Sequence, residues 1–166
     1  MMKYLVIEDE QAPREMIIEM ITELLGENVE IQAFERPSQV SEDFQFDVLI
    51  LDLKSQDGEQ AALDFLESSI VKNPKLKGYL ICSAYIEASN MALSTIRHNC
   101  NIPFEQVFKV NLKETFQLIL SCLLKTIELK QIIVRNVSNE DVTIDLENVI
   151  AIERIKNVDN QSLFYL

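Results

Sequence analysis

Between Phe46 and Gly58 the chain reads FDVLILDLKSQDG, and this stretch limits what the rest can become. An apolar run interrupted only by Asp47, and rich in Val, Leu and Ile, is too short for a free-standing helix. It reads as a strand buried on both faces of a parallel sheet, since a strand with one wet face would alternate. The run ends abruptly at Asp52 and is followed by a polar loop and Asp57-Gly58. A carboxylate placed where a buried strand emerges stands at the end where open α/β sheets bind ligands. Asp52 is therefore the first candidate for function.

The remaining elements are consistent with that sheet. Tyr4 to Ile7 is a short buried strand that stops at three consecutive acids, Glu8, Asp9 and Glu10. Pro13 suits the first turn of a helix; Ile17, Ile21, Leu24 and Leu25 share a face, and Gly26 caps the end. Val29 to Phe34 alternates as an edge-like strand, and Pro37 to Asp43 predicts a short helix. Glu59 to Val71 carries apolar residues at Ala62, Leu63, Leu66 and Ile70, a helical spacing closed by Asn73-Pro74.

Gly78 to Cys82 is another strand, ending at Ser83. Glu87 to Asn99 reads as a helix through Met91, Leu93 and Ile96, and Gln106 to Phe108 as a very short strand ending at Lys109. Leu112 to Lys130 is the longest helix, with a stripe from Leu112 through Phe116, Leu120 and Leu123 to Ile127; Leu118 and Cys122 fall outside the stripe. Strand and helix thus alternate five times, which predicts an α/β fold with helices on both faces of a parallel sheet. Right-handed crossovers leave the flavodoxin-like order 2-1-3-4-5 as the expectation. That order sets Glu8 and Asp9 beside Asp52, with Ser83 and Lys109 at the same sheet edge.

From Gln131 the texture becomes that of strands and turns, with a turn at Ser138 to Asp141 and a further strand through Val149 to Ile152. The expected boundary lies near Lys130, between a domain of residues 1–130 and a β-rich tail of residues 131–166. A length of 166 residues allows one sizeable core and a small appendage. The net charge of -12 excludes non-specific binding to nucleic acid or to an anionic membrane surface as a main activity. Cys82, Cys100 and Cys122 are widely spaced in apolar settings and read as buried thiols in a reducing cytosol, not as a disulfide framework or zinc site. The N-terminal MMKYLVIEDE is too short in apolar residues for a signal peptide, and no run spans a membrane, so a cytoplasmic protein is expected.

Carboxylates that converge within a few ångströms do not all stay ionised without a cation. Two or three carboxylate oxygens, a carbonyl and several waters suit Mg²⁺ and leave positions for phosphoryl oxygens. Ser83 adds a hydroxyl and Lys109 a charge, and the set together suits an aspartyl phosphate. Taken singly, each residue has an ordinary structural reading as a solvated acid, a loop serine or a surface lysine, and Asp57 keeps the reading of a turn. It is their joint placement at the ends of the first, third, fourth and fifth strands that argues for a site. Residue chemistry alone does not choose between Asp9 and Asp52 as the nucleophile.

The segments VIEDE, LILDLKSQDG, ICSA and VFK resemble the receiver domain of two-component response regulators over about residues 2–130. The resemblance implies a CheY-like fold, with Asp52 as phosphoacceptor and Glu8 and Asp9 as the acidic pair for Mg²⁺. It further implies the Lys54 backbone carbonyl as a metal ligand, Ser83 as switch hydroxyl and Lys109 as the lysine that pairs with phosphate. The implied function is that of a response regulator taking a phosphoryl group from a sensor histidine kinase. It would then change its dimerisation, through the face of the fourth and fifth strands and their helices, or its affinity for an output domain. Such a protein is no enzyme beyond its own phosphorylation and dephosphorylation.

Two departures from that family stand out. Val110 follows the lysine where receivers usually have proline, and Gln106 replaces the usual aromatic switch residue, with Phe108 nearby pointing to the other strand face. They motivate an alternative, a pseudo-receiver acting as a phosphorylation-independent scaffold. Lys54 and Tyr85 would border the path of hydrolytic water, which suggests a long-lived phosphoryl group. His98 reads as a cation at a helix C-terminus. A haloacid dehalogenase-type phosphohydrolase is disfavoured because Lys54 stands where that family has a second aspartate. The tail resembles the opening strands of LytTR-type DNA-binding domains. Its three basic residues against six acids, and the missing later part of that module, imply a truncated domain that binds DNA only if the chain continues beyond Leu166.

Overall fold

A computed structural model describes residues 1–26, 29–54, 56–84, 93–96, 100–129, 131–135, 141–145, 151–154 and 162–165. The backbone forms two compact units, Met1–Leu124 and Lys125–Leu166. In the first, β1 (Lys3–Ile7) leads into α1 (Gln11–Leu25) and β2 (Glu30–Phe34). Then come β3 (Val48–Asp52), α2 (Glu59–Lys72), β4 (Gly78–Ser83) and β5 (Phe104–Phe108). The long helix α3 (Leu112–Leu129) begins in this unit.

The strands pair in the order β2-β1-β3-β4-β5, all parallel. This is the expected α/β order, and the burial of each strand follows from it. Every residue of β3 and β4 is buried, whereas the edge strand β2 is half-buried throughout. A central strand covered on both faces needs the continuous apolar run that begins at Val48, and an edge strand tolerates EIQAF. Leu5, Ile7, Leu49, Leu51, Tyr79 and Ile81 form one continuous core with Ala62, Leu63 and Leu66 of α2.

Several local expectations are corrected. On α1 the buried residues are Ile17, Met20 and Ile21, while Leu24 is 36% exposed. Met20 takes the core position beside Ile17 and Ile21, at the three- and four-residue spacing of one helix face. Gly26 closes α1 at φ 75°, a conformation that strains any residue with a Cβ, and donates its N–H to the Thr22 carbonyl at 2.8 Å. The short helix expected over Pro37–Asp43 is a single 3-10 turn, Pro37–Gln39. On α2, Ser69 is buried and Ile70 only partly so. Asn73 ends that helix and donates from its amide to the Phe46 carbonyl at 2.8 Å, pinning the start of β3. β5 begins at Phe104, two residues before the expected start: Phe104 pairs with Tyr79 in the parallel ladder, and the two ring centroids lie 5.0 Å apart.

Of the helix expected over Glu87–Asn99, the described part is a helical turn at 93–96 with Leu93 and Ile96 buried. On α3 the stripe of Leu112, Phe116, Leu120 and Leu123 is buried and Leu118 is 67% exposed; of the three cysteines expected to be buried, only Cys82 is, since Cys100 is half-buried and Cys122 lies exposed on α3, outside its apolar stripe. The second unit contains two antiparallel pairs. One joins β6 (Gln131–Arg135) to β7 (Asp141–Asp145), the other β8 (Ala151–Arg154) to β9 (Ser162–Tyr165). The strand β9 has no counterpart in the sequence reading. The turn expected at Ser138 to Asp141 lies, apart from Asp141, outside the described residues. No helix among the described residues is long and apolar enough to cross a membrane.

The burial pattern separates two leucines. Leu66→Ala is expected to lower the unfolding free energy by about 2–5 kcal/mol, whereas Leu118→Ala should stay within about 0.5 kcal/mol of wild type in the same urea titration.

Candidate functional site

Parallel pairing places all five strand ends on one edge of the sheet. Ile7 pairs with Leu51 and Asp52 with Cys82, so the residue after β1, Glu8, stands level with Asp52. Ser83 pairs with Phe108, which brings Lys109 to the same edge one residue later. Glu8, Asp52 and Ser83 are each 1% exposed, a depth at which acids and hydroxyls require specific partners.

Lys109 supplies the central partner. Its Nζ donates to Glu8 Oε1 and to Asp52 Oδ2, both at 2.7 Å, and lies 3.9 Å from Glu10 Oε1. The other Asp52 oxygen, Oδ1, accepts the Lys54 N–H at 3.1 Å. Glu8 Oε1 also accepts the Glu10 N–H at 3.2 Å, but Glu8 Oε2 is buried with no hydrogen-bond partner. Glu8, Asp9 and Glu10 each place an oxygen within 4.8 Å of the others, in an arrangement able to hold a metal ion.

Burial is the first cause that pushes the Glu8 carboxyl up from 4.5 to about 7; the Lys109 hydrogen bond pulls the other way and the Asp52 charge adds to the rise. Burial works against the charge of Lys109, yet its hydrogen bonds to Asp52 and Glu8 prevail and raise its pKa. The ammonium therefore stays protonated throughout the neutral range. The Cys82 thiol is pushed far up by complete burial, reinforced by the Glu8 and Asp52 charges.

Of the residues singled out in the sequence, Glu8, Asp52 and Lys109 are joined by direct contacts. Asp9 lies half-buried in the acid cluster, Ser83 is buried at the same edge, and the Lys54 backbone faces Asp52 through its N–H. Asp57 engages Ser38 Oγ at 2.8 Å and belongs to the neighbouring loop. Tyr85 and His98 lie outside the described residues. Val110 is 83% and Phe108 52% exposed. Two residues were not expected to serve the site. Glu10 joins the acid cluster, which the run of three acids could have signalled. Arg14 donates to the Glu8 carbonyl, a contact that no strand-end pattern announces.

No family model and no curated protein matches the chain. Solved structures do. The phosphorylated cyanobacterial phytochrome response regulator RcpA is 19% identical, with a TM-score of 0.56 over 75% of this chain and 95% of its own. The chain has the fold of a response-regulator receiver domain. The Mn²⁺-bound response regulator Rcp1 is 17% identical, TM-score 0.56, over 77% of this chain and 96% of that one. The isolated REC domain of RcsB from Salmonella enterica serovar Typhimurium is 16% identical, TM-score 0.58, over 76% and 90%. In this receiver fold the acid cluster, Asp52 and Lys109 occupy the C-terminal edge of the sheet.

Glu8 gives the site a pH signature. Its folded pKa of about 7 lies above the ordinary 4.5, so its contribution to stability is complete below pH 4.5 and is lost as pH rises to about 7. In metal-free buffer the wild type should lose up to about 3 kcal/mol across that window that Glu8→Gln does not lose. Superimposable urea-midpoint profiles for the two proteins would contradict this account.

Proposed function

We propose that residues 1–130 form the receiver of a two-component response regulator, with Asp52 accepting a phosphoryl group from a sensor histidine kinase in the presence of Mg²⁺. The observation that supports it is the single ammonium of Lys109 held 2.7 Å from both Asp52 Oδ2 and Glu8 Oε1, beside further acids. Four carboxylates (Glu8, Asp9, Glu10, Asp52) against Lys109 and the Arg14 guanidinium leave negative charge that a hard divalent cation would balance. The buried, unpartnered Glu8 Oε2 is the atom that fits this best, since an ion would satisfy it directly. Glu8, Asp9 and the Lys54 carbonyl would hold Mg²⁺ with Asp52, and Glu10 is close enough to join them. When bound, the ion would neutralise charge on the phosphoryl oxygens.

The chain's own residues define the transfer. An Asp52 carboxylate oxygen bonds to phosphorus as the bond from phosphorus to the kinase histidine breaks, and the departing imidazole takes up a proton. Lys109, already a counter-ion to Asp52, pairs with the new phosphoryl oxygens, and the Ser83 hydroxyl donates to another. Lys109 is released by this from part of its hold on Asp52, so the edge carrying β5 and α3 is the one that changes. The chemistry is confined to the protein's own phosphorylation and dephosphorylation, without turnover of a separate substrate.

Phe108 and Val110 of the β5 end and Leu118 of α3 are exposed apolar residues, and they support this face as the homodimer or output contact. The tail, residues 131–166, would be the start of a LytTR-type output domain that regulates transcription, binding DNA only where that domain continues beyond Leu166. The comparisons lend this part no support. A cytoplasmic location accords with the kinase partner. The pseudo-receiver alternative rests on Gln106 and Val110 and is separated from the leading reading by one experiment.

Acetyl phosphate with Mg²⁺ should add one phosphoryl mass to the intact chain, and none after chelation or in Asp52→Asn. Labelling that persists in Asp52→Asn would move the acceptor elsewhere, and no labelling of the wild type would favour the scaffold.

A further inference from the structure

Carboxylates on three consecutive residues repel one another, so the backbone that carries Glu8, Asp9 and Glu10 needs an external restraint. Lys109 is one. It acts on the carboxylate oxygens themselves, the atoms a metal ion would also need. The second restraint is Arg14, in the first turn of α1. Its Nη1 donates to the Glu8 carbonyl at 2.6 Å and to the Asp9 carbonyl at 3.3 Å, while its backbone N–H donates to the Glu10 carbonyl at 3.1 Å. One residue thus holds the carbonyls of all three acids. Nη2 lies 3.6 Å from Glu35 Oε1, just past the end of β2, and the side chain is only 16% exposed.

A cation near a helix N-terminus opposes the helix dipole. Helix α1 has no acidic residue in its first turn and no side-chain cap, so no group of that turn compensates. The favourable partners of Arg14 lie outside it, on the acidic loop and on Glu35. Because the guanidinium binds main-chain oxygens, it offsets the repulsion among the acids without occupying a single carboxylate lone pair. The planar fork reaches two carbonyls and an acid at once, which the point charge of a lysine does less well.

We infer that Arg14 is a positioning residue for a divalent cation: it clamps the carbonyls of Glu8 and Asp9 so that the three acid side chains stay convergent on the ion. This rests on the metal-binding reading given above. Arg14 touches neither the ion nor the phosphoryl group; it fixes the loop that presents the ligands. Outer groups of this kind typically change metal affinity by about 10–100-fold.

The test compares wild type with Arg14→Met, Arg14→Lys and Glu35→Gln by Mn²⁺ calorimetry and by Mg²⁺-dependent labelling with acetyl phosphate. Arg14→Met should raise the Mn²⁺ dissociation constant roughly tenfold or more. The Mg²⁺ concentration for half-maximal labelling should rise with it, while the rate at saturating Mg²⁺ stays within about twofold of wild type. Arg14→Lys should recover part of the affinity. Equal Mn²⁺ affinities in Arg14→Met and wild type would overturn the assignment, as would a fall in saturated rate at unchanged half-saturation. If Arg14→Met does not fold, Glu35→Gln carries the test through the outer anchor, with about two- to fivefold weaker Mn²⁺ binding expected and unchanged binding overturning it. A wild type that binds neither Mn²⁺ nor Mg²⁺ would instead defeat the metal reading itself.

Discussion

The contact between Lys109 and the two buried carboxylates, Glu8 and Asp52, is the interaction on which the rest of the site depends. The two acids come from different strands, separated along the chain by more than forty residues, and both are removed from water. Without a shared cation their mutual repulsion would force one to take up a proton or the sheet edge to open. The raised pKa of Glu8 comes first from burial, which the Lys109 hydrogen bond only partly offsets and to which the Asp52 charge adds. A parallel sheet is what makes the arrangement reachable. All strand ends fall on one side, and residues remote in sequence become neighbours through register alone.

The same logic explains why the fold was largely legible in the sequence. Central strands in a two-faced sheet must be continuously apolar, and VLIL and YLIC are. Five alternations and right-handed crossovers then leave the strand order that is found. What escaped the sequence lies where pattern is weakest. β5 starts at Phe104, which pairs with Tyr79 in the ladder although Glu105 and Gln106 break the apolar pattern, and the segment after Pro37 makes one 3-10 turn, not a longer helix. At the end of α1, helical spacing placed Leu24 with the core, but Met20 is buried on that face and Leu24 is 36% exposed.

Glu8 and Asp52 were legible because each ends an apolar run, and Lys109 because it follows the short strand that completes the alternation. Arg14 was not, since an arginine in a helix has many roles and only the course of the loop selects among them. Glu10 lay between these cases. Three acids in a row suggest a cluster, but a backbone turning from strand to helix decides whether the third faces the others. Likeness to RcpA, Rcp1 and RcsB at below one-fifth identity is a likeness of fold, so the chemistry must be argued from this chain's own atoms.

Cys82 pairs with Asp52 across the sheet yet has no access to solvent, and its thiol is kept protonated far above neutrality. Peroxide and electrophiles attack thiolates, not buried neutral thiols. Oxidants therefore have no handle on this thiol, and the strand that lies against Asp52 presents no reactive sulfur beside the buried carboxylates.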